Sequence, residues 1–290
     1  MEILRMKFGT SLFYYIYILI CLGAFFGLYF GLRKKSEKAK YWTLYGILMF
    51  NFVLHFLKIA LPYYYERGFP EVLRKCSFEN ICAVSTMIFP FAYLSKSNSL
   101  KDYMFYLGII SGIIGCAAPM PVIGLQFYHL EVIRYYICHA SIWIVPLLMV
   151  IFGIHKLDYR RIWKSIVIYF AVLCLIIVNE LILIRLGWVS TSSFEEFFDP
   201  SDRDMGYAVG FPHEMQKVAS FIIWLTPKKW RNLPILWEFF PVIVFGGLYM
   251  LFLCSYWEHE HIRQDINAFI EKIRKKRAKG KYSDNQGDDL

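Results

Sequence analysis

Seven stretches of about twenty mostly apolar residues, separated by short charged segments, constrain this chain more than any other feature. They cover residues 11–32, 41–61, 77–94, 102–119, 131–154, 162–186 and 235–257. Each is near the length that a helix needs to cross the ~30 Å hydrocarbon layer of a bilayer. Lipid cannot pair with backbone N–H and C=O groups, so such blocks must be helices or strands of a closed barrel. The alternating pattern of barrel strands is absent. The sequence therefore predicts an all-α polytopic membrane bundle of seven transmembrane helices, forming one domain over residues 1–262. A mean hydropathy of +0.41 agrees.

Charge gives the expected orientation. The flanks after the first, third, fifth and seventh blocks carry 19 Lys and Arg, against 11 on the opposite flanks. Basic residues concentrate on the cytoplasmic side, which places the N-terminus outside and the C-terminus inside a cell membrane. The net charge of +9 does not point to nucleic acid, because its basic residues lie between spans and in the 263–290 tail. That tail reads as a solvated arm whose natural partners are anionic headgroups. The segment 187–234 reads as an outer loop, and Trp224 and Trp230 beside Lys228 and Lys229 suit an interfacial stretch.

Five of the seven cysteines (Cys21, Cys116, Cys138, Cys174 and Cys254) fall within apolar blocks, where they serve as small hydrophobes. No C-x-x-C pair occurs, and neither a disulfide framework, a structural metal nor a cofactor motif is legible. In the fourth block, Gly108, Gly112 and Gly115 make a small-residue stripe at one-turn spacing, the pattern of close helix packing.

Polar residues inside the blocks are costly and so carry information. Counting along each predicted helix at ~1.5 Å per residue puts His55, Glu79, Cys82, His139, Asn179 and Glu180 at a similar depth, roughly 5–12 Å below the outer boundary. Asn80 lies beside them in sequence. Each has a structural explanation: interhelical hydrogen bonds for His55 and His139, packing for Cys82, headgroup contact for Glu79 and Asn80, and pairing with Arg185 for Glu180. Together they suit a shared polar pocket. There a thiol with an imidazole in reach forms an activated nucleophile, and an asparagine orients the ring. That combination performs acyl transfer through a thioester, with Cys82 as nucleophile and His139 as base. The alternative is a non-enzymatic carrier, ligand-binding or sensing bundle that uses the same residues. A zinc site built from His55, His139 and Glu79 lacks a compact ligand pair. A retinal protein would need a lysine in the last span, and none is there.

The stretches SFENICAVSTMIFPF, YLGIISGIIGCAAP, FYHLEVIRYYICHASIWIVPLL and IIVNELILI resemble the bacterial YwaF family of integral membrane proteins, which is related to the eukaryotic transmembrane protein 164 acyltransferases. The resemblance covers residues 40–185. It implies a seven-helix, lipid-facing protein that transfers acyl groups on phospholipids or other acyl lipids. Cys82 and His139 match the family's cysteine and histidine, and Asn179 its asparagine. Gly108, Gly112 and Pro119 fall on its glycines and helix-ending proline. Asn80 stands where the family has a histidine, and the 187–234 insert finds no counterpart.

Overall fold

The computed structural model describes residues 4–66, 68–188, 208, 210, 220, 221 and 223–284, with side chains to residue 275. Nine helices organise them: α1 (Leu12–Leu32), α2 (Glu37–Phe56), α3 (Pro62–Tyr65), α4 (Phe69–Cys76), α5 (Ile81–Leu94), α6 (Asn98–Ala117), α7 (Leu130–Ile151), α8 (Ile162–Arg185) and α9 (Gly247–Asp284). Side-chain caps start several of them. Ser11, Ser36, Asn80 and Ser97 each accept a hydrogen bond from a backbone N–H of the first turn.

The all-α membrane architecture is present, with six helical segments long and apolar enough to cross a membrane. The block predicted over 77–94 falls short. Its helix, α5, begins only at Ile81 and has 14 residues, about 21 Å against a ~30 Å hydrocarbon layer. Asn80 is the cause, since its extended backbone and capping side chain end the preceding segment there. The last span also differs. Its entry passes through a 3₁₀ turn (Leu236–Glu238), a turn at Phe239–Pro241 and a π-helical turn (Val242–Gly246) before regular helix begins. Pro241 has no N–H to give the ladder, and the register adjusts around it. Regular helix then runs unbroken through the tail to Asp284, so the expected solvated arm is a helical extension. No glycine or proline lies between Leu248 and Lys279, and Arg, Lys, Glu and Ala favour helix.

Around α7, the most buried of the spans, the other helices assemble. The glycine stripe of α6 faces it directly. A Cβ at Gly108 would lie 2.5 Å from the Ile142 carbonyl oxygen, and one at Gly112 would lie 2.8 Å from the His139 carbonyl oxygen. At Gly115 it would sit 2.0 Å from Cδ2 of the His139 ring. Only hydrogen fits at these positions, which lets the two backbones touch. At one end of the bundle, the chain start crosses the 118–129 connection. Met6 donates to the Leu125 carbonyl (2.8 Å), and Gly124 donates back to Met6 (2.8 Å).

Gly108→Val forces apart two backbones that pack without slack. Overpacking of this kind costs about 1–3 kcal/mol, so the thermal midpoint in nanodiscs is expected to fall by several degrees. Gly46→Ala in α2 meets nothing within 4 Å and should leave that midpoint unchanged or raise it. Equal behaviour of the two variants would show that the α6–α7 contact does not limit stability.

Candidate functional site

The polar residues picked out in the sequence gather at the end of the bundle where α5 begins, mostly around the connection from Arg74 to Asn80. His55 at the end of α2 donates from Nε2 to the Cys76 carbonyl (3.3 Å), and the Cys76 thiol donates back to the His55 carbonyl (3.9 Å). Asn179 on α8 donates to the Ser77 hydroxyl (3.0 Å). Glu180, fully buried, faces Arg74 at 3.8 Å, so its partner is Arg74 and not Arg185. Glu79 is buried in an ion pair with Lys75. Asn80 accepts from the Ala83 N–H (2.9 Å) and caps α5. All five therefore clamp the segment that delivers Cys82.

Cys82 sits half-buried in the first turn of α5, where the positive end of the helix favours negative charge. His139 lies on α7. Its Nδ1 donates to the Tyr135 carbonyl (2.8 Å), and its ring stacks on Tyr135 at 4.0 Å. A carbonyl only accepts, so Nδ1 carries the proton and Nε2 of the neutral ring is left as an acceptor. That edge of the ring lies against Gly115. The next residue, Cys116, is within electrostatic range of Cys82. His139 thus borders the last turn of α6, while Cys82 opens α5. No hydrogen bond joins them to each other among the described residues.

A charged network adjoining this site escaped the sequence reading. Arg134 donates to Glu131 through Nε (2.6 Å) and Nη2, to the Tyr64 hydroxyl (3.3 Å) and to the Cys138 thiol (3.7 Å). Tyr64 also donates to Glu131. Lys58, buried, spends a donor on the Lys75 carbonyl at 2.5 Å. Asn51 donates to the Cys138 carbonyl at 3.3 Å. Burial, reinforced by Glu131 and opposed by Arg134, holds the Tyr64 phenol above its ordinary range. Burial likewise raises the Cys76 thiol. A signal was available in the sequence. Of the 32 Lys and Arg, four fall inside predicted spans, and whereas Lys164 and Arg185 sit within two residues of a span end, Lys58 and Arg134 lie deeper.

A second set of polar groups is carried by α5, α6, α8 and the entry to the last span. The Tyr103 hydroxyl lies beside Ser85. Tyr169 donates to Glu238 at 2.8 Å. Ser85 Oγ, Tyr103 OH and Glu238 Oε1 are buried without a hydrogen-bonding partner among the described residues. Tyrosines inside apolar blocks read as core aromatics, and Glu238 was absorbed into the edge of the last span.

The sequence model of the TMEM164 family matches residues 7–225. The chain belongs to the TMEM164 family. The match extends beyond the resembling region at both ends, taking in α1 and most of the 187–234 insert. Of that insert, residues 189–207, 209, 211–219 and 222 lie outside the described part. No curated protein and no solved structure matches the chain. With six candidate spanning helices, this family member is a multi-pass membrane protein.

Arg134→Ala strands a buried Glu131 with Tyr64 alone, and loss of one partner from a buried pair costs about 3–5 kcal/mol. Tyr64→Phe keeps the ion pair and should cost about 1 kcal/mol. Denaturant unfolding in matched nanodiscs separates the two, and equal losses would mean that the pair does not anchor α7. Lys75 gives a sign-definite pH dependence. Burial lowers its pKa, but Glu79 outweighs burial and leaves it raised. Its stabilisation is full at neutral pH and fades only as pH climbs past the ordinary lysine range, ~10.4. A Glu79→Gln variant should lose stability at neutral pH and show a weaker alkaline decline, measured by melting against pH.

Proposed function

We propose that this protein is a lipid acyltransferase or acyl hydrolase of the cell membrane, with Cys82 as nucleophile and His139 as general base. One observation carries the reading. His139 holds the tautomer that a base needs, with Nδ1–H tied to the Tyr135 carbonyl and Nε2 left as an acceptor facing Gly115 of α6. The arrangement follows the logic of a nucleophile, a base and an orienting group. Here the orienting group is a backbone carbonyl. Asn179, expected beside the ring, instead steadies Ser77 on the approach to Cys82.

In the proposed reaction, the Cys82 proton passes to Nε2 of His139 as sulfur attacks the ester carbonyl of an acyl phospholipid or other acyl lipid. The ester C–O bond breaks, the leaving alkoxide takes the proton back from His139, and an acyl thioester remains on Cys82. A second alcohol, or water, then gives its proton to His139 and attacks the thioester, releasing the acylated product and restoring the thiol. Family membership supports the reading, as does the number of contacts spent on fixing the Arg74–Asn80 connection, since nucleophiles need a rigid approach.

Incubation of the full-length protein in nanodiscs with a short-chain acyl phospholipid should yield an acyl adduct on Cys82 by intact mass and peptide mapping. Cys82→Ala should abolish adduct and turnover. His139→Ala should slow adduct formation about 10²–10⁴-fold, the usual contribution of a general base. Turnover unchanged in both variants would overturn the assignment. A bound lipid recovered intact, with no adduct at any time point, would favour the carrier or sensor reading.

A further inference from the structure

Far from Cys82, at the end of the bundle where α6 and α8 begin and α7 stops, lies a cavity of about 580 Å³. Its walls come from the start of α6, the 153–161 connection and the first turns of α9 beyond the bundle. One wall is built rigidly. Asp102, fully buried, accepts from His155 Nε2 (2.7 Å) and from Arg161 Nε (2.6 Å) and Nη2 (3.3 Å). Arg161 also donates to the Lys156 carbonyl (2.8 Å), which fixes the connection. None of these groups takes part in the chemistry proposed for Cys82.

The cavity holds charges of both signs, but they are not equally available. Asp158 pairs with Arg161 at 3.2 Å and caps the Tyr159–Arg161 turn. Asp265 accepts from Arg160 and Tyr159. Glu258 accepts from His261 at 2.9 Å. Every lining carboxylate is therefore engaged. Lys101 and Lys156 also line the cavity, and among the described residues neither side chain makes a hydrogen bond or ion pair. Lys101 lies close to the positive end of α6, which has no acidic residue in its first turn to offset it. Two ammonium groups with no carboxylate partner among the described residues thus line one cavity of ligand size and can meet an anion without breaking an existing pair.

We propose that this cavity is a second binding site, separate from the Cys82 pocket, that takes a phosphate-bearing group between Lys101 and Lys156. Asn98 and Gln264 on the same walls supply amide donors for the remaining phosphate oxygens. The cavity lies at the level where spanning helices end, which is headgroup depth in a bilayer. Both an anionic phospholipid of that leaflet and a free phosphate ester present the required chemistry.

The test uses full-length protein in nanodiscs of phosphatidylcholine, or of an equal mixture with phosphatidylglycerol, with and without added inorganic phosphate. The readout is the thermal midpoint. A rise in phosphatidylglycerol discs identifies a lipid headgroup as ligand, and a rise with inorganic phosphate identifies a free phosphate group. The Lys101→Gln/Lys156→Gln variant should need about tenfold more ligand for the same rise, consistent with loss of charge-assisted hydrogen bonds. Because Lys101 is only partly buried and Lys156 is exposed, the variant should fold, and its melt in pure phosphatidylcholine checks this. The control is Lys164→Gln/Lys272→Gln, which removes two lysines outside the cavity. No rise with either ligand, or an equal loss in the control variant, overturns the proposal.

Discussion

The close contact of α6 with α7 is the constraint on which the rest of this structure depends. A bilayer offers no hydrophobic drive to bring two apolar helices together, so their association rests on packing and hydrogen bonds. Three glycines on α6 let its backbone reach the backbone of α7 at residues 139 and 142. The same contact sets the His139 ring against Gly115, where a methyl group would displace it. Packing and site geometry are thus one feature, and the small residues that hold the bundle together also place the imidazole.

Around that contact, polar groups are economically arranged. At the Cys82 end, buried cations and carboxylates from α2, α4, α7 and α8 pair with each other or with backbone carbonyls of the Arg74–Asn80 connection. Irregular backbone at this depth is tolerated only where its carbonyls and amides find partners within the protein. His55 and Lys58 supply them for the Cys76 and Lys75 carbonyls, and Asn179 steadies the Ser77 side chain. The shortness of α5 follows from the same arrangement, because its missing turns are replaced by a connection held by side chains from neighbouring helices.

Much of the site was legible in the residues. The cost of polar groups in apolar blocks singled out His55, Glu79, Asn80, Cys82, His139, Asn179 and Glu180, and all lie at one end of the bundle or on its helices facing that end. Their partners were not legible. Glu180 faces Arg74 and not the nearer Arg185, because sequence distance on one helix says nothing of what a neighbouring helix presents. Lys58 and Arg134 are the same residue types as the basic flanks, and only the burial and the partners that folding gives them set them apart. Tyr103, Tyr169 and Glu238 look like core or interface residues in the sequence, since only the unpaired oxygens of Tyr103 and Glu238 and the bond from Tyr169 to Glu238 set them apart.

By itself, the sequence determined the all-α membrane class, the positions of the long spans and the glycine stripe. Each of these follows from local physics: apolar length against bilayer thickness, backbone hydrogen bonding in lipid, and side-chain size at helical spacing. Tertiary structure decided which polar groups meet, where α5 starts, how the last helix continues past its span, and which His139 nitrogen is free. These depend on contacts between residues tens of positions apart. The energy of a buried charge or hydrogen bond is set by the partner that folding brings to it and not by its neighbours in the chain.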